Sequence, residues 1–150
     1  AQFMRDARIL PIYEGTNGIQ SMDLVARKMM DGGAAAFALM DDMEALASAS
    51  NSDLAKAVLA AIAQLRATTQ WVVSQELNER FAGSVAYQKA FARVLGGYFH
   101  LVASMSGQAK RQRLARVYIN SLLPEAASLC AQAQAGAADL YALELDDFAA

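Results

Sequence analysis

Prolines stand only at positions 11 and 124 of this 150-residue chain, and the long stretch between them is rich in alanine. Proline is the strongest helix breaker, so a stretch of this length without one can form long helices. Between the breaks, apolar residues recur three and four positions apart, and no segment has the strict alternation of a strand. The pattern predicts an all-α fold.

Glycines and the sequence Ser50-Asn51-Ser52 divide the chain into five predicted helical regions. The regions are expected at about 17–31, 34–49, 53–81, 84–105 and 108–135, with Pro124 kinking or dividing the last one. Gly96-Gly97 inside the fourth region indicates a kink or a close backbone approach. Because short connections between long helices favour antiparallel neighbours, we expect an up-and-down bundle of four or five helices.

The helical spacing also predicts which residues face the core. We expect the following: Ile19, Met22, Val25, Met29 and Met30 in the first region, Phe37, Met40, Met43 and Ala47 in the second, Leu54, Val58, Ile62, Leu65, Thr69, Val72 and Glu76 in the third, Phe91, Val94, Leu95, Tyr98, Val102 and Met105 in the fourth, and Leu114, Val117, Tyr118, Leu129 and Ala133 in the fifth.

Charge and composition exclude several classes of function. A net charge of −2 gives no general attraction to nucleic acid or to an anionic membrane. The single cysteine, Cys130, cannot form an internal disulfide, which suits the cytoplasm, and we expect it to fill the core rather than to act as a nucleophile. With His100 the only histidine, no metal site is predicted. No apolar run reaches the roughly 20 residues of a membrane span.

The segment RDARILPIYEGTNGIQ at positions 5–20 reads as a loop leading into a helix rather than as regular structure. Pro11 disfavours helix at the residue before it, and Gly15 permits close backbone approach. Thr16 or Asn17 could cap the next helix. Glu14 therefore stands at the start of a helix, where the simplest interpretation is a solvated acid favoured by the helix dipole.

This segment closely resembles the catalytic loop of the acyl-CoA dehydrogenase flavoenzymes. The resemblance implies that Glu14 is the base that removes the substrate α-proton while the β-hydrogen leaves as hydride for the N5 atom of FAD. It also implies that Gly15 and Thr16 contact the flavin, although an ordinary helix entry is an equally open interpretation of that pair. Arg8 and Tyr13 match structural positions of the loop.

Two positions depart from the family pattern. Members often carry a polar residue at the position of Pro11 and Glu or Gln at the position of Gly18. Any flavin contact made through the latter side chain is absent here.

A second, less specific resemblance covers the segment KRQRLARVY at positions 110–118, together with Leu122-Leu123-Pro124 and Gly136. It is similar to the extra carboxy-terminal helical domain of larger family members, the 3-methylmercaptopropionyl-CoA dehydrogenase-like enzymes. The resemblance implies a carboxy-terminal fragment, with residues 1–16 a remnant of the catalytic core and residues 17–150 a helical bundle domain. The parent would oxidise acyl-CoA to 2,3-enoyl-CoA in the cytoplasm and pass electrons to an electron-transferring flavoprotein, whereas the isolated fragment would be inactive.

A different class of function stays open, namely a non-catalytic helical module that mediates interaction or oligomerisation. Surfaces that pack on absent domains would leave apolar patches, so we expect a homo-oligomer, most simply a dimer, and a mobile segment over the first ~16 residues.

The cations Lys110, Arg111, Arg113 and Arg116 could bind a CoA phosphate, an acidic subunit surface or DNA. A solvated helix face is favoured, since aromatic residues that could stack on bases are missing, and nucleic acid is not expected as a partner.

Overall fold

The protein, analysed as a computed structural model, is described at residues 2–10, 12 and 16–148. The α-helices are α1 (Gln2–Ala7), α2 (Asn17–Val25), α3 (Ala34–Ser48), α4 (Asp53–Ser74), α5 (Leu77–Ala82), α6 (Ser84–Ser104), α7 (Ala109–Ser121), α8 (Glu125–Ala133) and α9 (Ala138–Tyr141). Short 3₁₀ turns occupy Arg27–Met29 and Leu145–Phe148. These described residues contain no strand, which confirms the all-α prediction.

Helix α6 lies at the centre of the fold and packs against α2, α4, α7 and α8. Its buried side is formed by Ser84, Tyr87, Ala90, Val94, Gly97 and Leu101. Opposite it, α4 buries Val58, Ile62, Leu65, Thr69 and Val72, five residues of its predicted stripe. The periodicity of α4 therefore identifies its buried side correctly. In α6 only Val94 of the predicted residues is buried, because the side that packs most closely is one position away from the predicted stripe; Phe91, Leu95 and Tyr98 are partly buried against the core.

Helices α7 and α8 run together along α6 in the direction opposite to it. The Tyr118 hydroxyl donates to the Arg93 carbonyl at 3.4 Å, and Glu125, at the start of α8, forms an ion pair with Arg93. Further along, the backbone of Ala133 lies against Gly83, at the beginning of α6. The predicted region 108–135 is thus divided between α7 and α8 at Leu122–Pro124, as expected from Pro124. The up-and-down order of the whole bundle stays a prediction.

The glycine pair inside α6 serves close packing rather than a kink, because α6 continues through it. A Cβ on Gly96 would collide with the Tyr118 ring, and a Cβ on Gly97 would lie 3.0 Å from Leu123. The sequence left both alternatives open, and the structure shows the close approach.

Two sets of polar contacts define the start of α3 and its packing against α4. Gly33 adopts the left-handed conformation with φ of 80°, and the Asp31 carboxylate accepts hydrogen bonds from the amides of Gly33, Ala34 and Ala35 at the start of α3. These bonds satisfy amides that a helix start leaves unpaired. Arg66 of α4 then joins the two helices by ion pairs with Asp41 and Glu44, at 2.6 and 3.1 Å.

The predicted third region is wrong in its length, because α4 ends at Ser74 and a separate helix, α5, follows. Arg80 explains the break: its guanidinium donates to the carbonyls of Gln75 and Val73, at 2.7 and 2.9 Å, and to that of Val25 at 3.4 Å. A cation that binds these terminal carbonyls stabilises the helix end. Glu76, expected in the core, is exposed.

Several other predicted core residues are also exposed. They are Ile19, Met22, Met30, Met105, Leu114 and Val117. Met30 and Met105 follow the ends of their helical segments, where the chain leaves the packed side. The first predicted helix is shorter than expected as well, because it ends at Val25 and a 3₁₀ turn carries Met29 into the core.

None of the helices in the described residues has the length and apolar character that crossing a membrane requires.

Candidate functional site

The described residues before α2 lie on the outside of the molecule. Helix α1 has no buried residue, and the following turns are held only by local backbone bonds, such as that from the Leu10 amide to the Ala7 carbonyl at 3.1 Å. Arg5, Asp6 and Ala7 are therefore helical, which corrects the expectation that the motif contains no regular structure. Arg8, a structural position of the loop by resemblance, is exposed.

Of the three predicted site residues, only Thr16 falls within the described residues. Glu14 and Gly15 lie outside them, as do Pro11 and Tyr13. Thr16 immediately precedes α2, is exposed, and accepts a hydrogen bond from the Gln20 amide through its carbonyl at 2.8 Å. Its side chain makes no capping bond, so Thr16, one of the two residues that the sequence offered as a cap, does not act as one. Its φ and ψ, −123° and 18°, differ from the extended conformation in which a cap side chain faces the free amides.

Helix α2 gives this loop a fixed end. The buried Ser21 hydroxyl bonds to the carbonyls of Asn17 and Gly18, at 3.0 and 2.9 Å, and Val25 is completely buried. The helix packs against α6, and Arg80 binds the carbonyl of its last residue. Val25 and Arg80 therefore hold the carboxyl end of α2 against the core, whereas residues 17–20 at its start are exposed.

Apolar side chains that neighbour this loop in the sequence are exposed. Ile9, Leu10, Ile12 and Ile19 are 56 to 79% exposed. Exposure of single apolar residues is ordinary, but four close in sequence on both sides of one loop mark a surface suited to contact.

Polar groups in the interior are paired and structural. The hydroxyl of Thr69 donates to the Leu65 carbonyl and pairs with that of Tyr87, both at 2.8 Å. Burial raises the pKa of Tyr87 to about 12, because a phenolate would lose its hydration there. Burial likewise raises the pKa of the Cys130 thiol. A thiol that resists ionisation is a poor nucleophile, in agreement with the predicted core role of Cys130.

The remaining candidates do not form a reaction centre. His100 stacks on Tyr118 with ring centroids 4.6 Å apart. Among the described residues, no cluster of three or more His, Cys, Asp or Glu side chains could hold a metal ion. Lys110, Arg111, Arg113 and Arg116, the basic surface of α7, are all exposed. Sequence reasoning missed Arg80 altogether, since nothing in the local pattern marks a helix end at Gln75.

Two surface cavities are away from the loop. One of about 580 Å³ opens at the ends of α2 and α4, where Arg27, Met30, Leu77 and Arg80 line it. Another of about 390 Å³ lies between α6 and α8, beside Lys89 and Asp139. Neither contains a predicted site residue.

Comparison with known proteins defines the class. The family described as acetyl-CoA dehydrogenase C-terminal like matches residues 34–144, from the first residue of α3 to the residue before the terminal 3₁₀ turn. That match covers most of the helical bundle, and the chain belongs to this family. The resemblance of the sequence to acyl-CoA dehydrogenases is thereby confirmed.

A particular relative agrees with the family. The chain is 34% identical over 124 residues to 3-methylmercaptopropionyl-CoA dehydrogenase of Ruegeria pomeroyi (strain ATCC 700808 / DSM 15171 / DSS-3), an alignment that covers 73% of this chain and 20% of the relative. The chain thus spans about a fifth of the length of the curated relative that it matches. No solved structure is significantly similar to it.

Proposed function

We propose that this chain is the carboxy-terminal helical part of a flavin-dependent acyl-CoA dehydrogenase that converts an acyl-CoA to its 2,3-enoyl-CoA. The family match over residues 34–144, which comes after the loop motif at positions 5–20, carries the proposal. The order of the two agrees with a catalytic loop that leads into a carboxy-terminal domain. The proposal includes a cytoplasmic location and an electron-transferring flavoprotein as the acceptor.

In this proposal Glu14 is the base. A carboxylate that takes the proton next to a thioester carbonyl works best when its pKa is raised from about 4.3 toward the operating pH. Burial of Glu14 beside the acyl chain would raise it, because burial disfavours the charged form. FAD, when bound, accepts the β-hydrogen as hydride, so that two electrons and two hydrogens leave the substrate and one double bond forms.

The described residues support the positioning of such a base. Thr16 exposes its hydroxyl at the start of α2, where backbone amides carry partial positive charge suited to an electron-rich partner. The burial of Val25 and the bond from Arg80 to its carbonyl attach α2 to the bundle, so the loop precedes a helix that is anchored at its far end. The exposed apolar residues next to the loop would meet the substrate-binding domains, and without those domains the isolated chain is expected to be inactive.

The test uses the full-length parent protein. Acyl-CoAs are titrated anaerobically while the flavin absorbance is recorded, for the wild type, for Glu14→Gln and for Asp6→Asn. Asp6 is an exposed carboxylate in the same segment and serves as the matched control. We expect bleaching in the wild type and in Asp6→Asn, and at least a 100-fold slower bleaching in Glu14→Gln, the usual size of a lost general base. Equal rates in all three proteins would remove Glu14 from the mechanism.

The alternative is a non-catalytic helical module whose exposed apolar faces mediate assembly. The exposed residues around the loop favour it to the same degree that they favour contact with a catalytic domain. A colourless parent protein that flavin does not reconstitute would select this alternative.

A further inference from the structure

Charged groups of opposite sign lie at opposite ends of this molecule. The basic surface occupies one side of α7, a helix that contains no acidic residue. Beyond Arg116 the chain has no Lys or Arg at all, and it ends in Glu144, Asp146 and Asp147, which we call the acidic tip. Both groups are exposed, and no ion pair joins either of them to another described residue.

The contacts along α6 show that the two groups are far apart. Arg116 lines a cavity together with Leu101 and Met105, at the carboxyl end of α6. At the other end, the Ala137 amide donates to the Glu79 carboxylate at 2.7 Å, and this bond fixes the point from which the acidic tip departs. The 21 residues of α6 separate these ends by roughly 30 Å, at about 1.5 Å per residue.

The acidic tip is compact and does not cover that distance. Helix α9 and a 3₁₀ turn shorten the segment, and the Asp147 carboxylate accepts a hydrogen bond from the Glu144 amide at 2.8 Å. The basic surface and the acidic tip of one chain therefore remain unpaired with each other.

Apolar residues accompany the charges on both surfaces. Leu114 and Val117 stand between the cations of α7, at 44 and 61% exposure. Leu145 and Phe148 flank the acidic tip, at 89 and 71% exposure. Interfaces combine such apolar contacts with charges that set orientation, so the two surfaces are complementary in both respects.

We propose that two copies of this chain associate in antiparallel orientation, with the basic surface of each bound to the acidic tip of the other. A two-fold arrangement forms the contact twice and closes, whereas a head-to-tail arrangement would continue into a filament. The proposal specifies the homo-oligomer that was expected from the sequence, and it does not depend on the proposed catalytic function.

Charge reversal on the 150-residue chain tests the proposal by sedimentation velocity. Arg113→Glu/Arg116→Glu removes the net positive charge of the basic surface, and Asp146→Lys/Asp147→Lys gives the acidic tip a net positive charge. We expect the wild type to be a dimer at low salt and each variant alone to be a monomer. An equimolar mixture of the two variants should form a discrete heterodimer, because both contacts are then restored. Salt of about 1 M should dissociate wild type and mixture alike, since the Debye length falls to about 3 Å.

A matched control separates this interface from general attraction between chains of unlike charge. Asp6→Lys/Asp42→Lys changes the net charge by the same amount at two exposed acids elsewhere. This variant should still form the wild-type dimer, and it should not pair with Arg113→Glu/Arg116→Glu.

Four outcomes would overturn the proposal: a monomeric wild type at low salt, a dimer that persists in both charge reversals, a mixture that stays monomeric, or pairing by the control variant. Binding of duplex DNA by the wild type, together with a dimer that tolerates reversal of the acidic tip, would instead assign the basic surface to nucleic acid.

Discussion

Single residues in the interior are fixed by polar contacts that apolar periodicity does not reveal. Thr69 occupies a predicted core position, yet its hydroxyl needs two partners, the Leu65 carbonyl and the Tyr87 hydroxyl. Tyr87 is completely buried and was not among the expected core residues. Because a buried polar atom without a partner costs about 1–3 kcal/mol, this pair determines how α4 and α6 align.

Replacing Tyr87 with Phe should give a pH-dependent change in stability. Near pH 8 we expect a loss of about 1 kcal/mol for the missing hydrogen bond. The pKa of Tyr87 is about 12 in the folded protein and near 10 when unfolded, so its contribution is complete below pH 10 and is lost as the pH rises toward 12. Urea unfolding of wild type and variant at pH 8 and pH 11 measures the difference between their free energies of unfolding. This difference should be smaller at pH 11 than at pH 8. A constant difference would contradict the assignment.

At the scale of elements, the local signals predicted the helices and the distant contacts decided where they end. Proline divided α7 from α8 and glycines allowed close packing in α6, because each acts through its own backbone. The end of α4 depends on Arg80, which binds carbonyls of α2 and α4 across a turn. A contact between residues 55 positions apart, such as Arg80 with Val25, is invisible to helical periodicity.

Two glycines provide a matched pair of substitutions. A Cβ on Gly83 would meet the backbone of Ala133, which cannot move aside, so Gly83→Ala should destabilise the fold by about 1–3 kcal/mol. A Cβ on Gly18 in α2 would have no atom within 4 Å. Gly18→Ala should therefore stabilise the fold by about 0.5–1 kcal/mol, because alanine has the higher helix propensity. Thermal unfolding of both variants gives the change in Tm for each substitution. Equal changes in Tm would mean that α8 does not pack on the start of α6.

At the scale of the whole molecule, the contacts between helices differ in the number of residues that separate the two partners along the chain. Helices α6, α7 and α8 follow one another within residues 84–133 and pack together, whereas α2 reaches α6 across about sixty residues. Regions of different stability unfold locally and independently of one another. A short helix at the edge of a fold therefore unfolds more often than the central helix does. The motif itself was identified by resemblance alone, since a glutamate before a helix has no physical signature of catalysis.

Hydrogen exchange should therefore rank the helices. We expect the amides of α6 to be the most protected and those of α2 to exchange at least 10-fold faster, because α2 has only nine residues and two buried side chains. Exchange of native protein followed by mass spectrometry gives both rates. Equal protection of α2 and α6 would show that they unfold as one unit.

The long separation between α2 and its binding surface also sets an order of assembly. Loop closure costs more entropy as the enclosed chain lengthens, so we expect contacts within 84–133 to form before α2 docks. The described residues that precede α2 would then join the bundle together with that helix. A polypeptide built in this way completes its scaffold before its amino-terminal segment is attached.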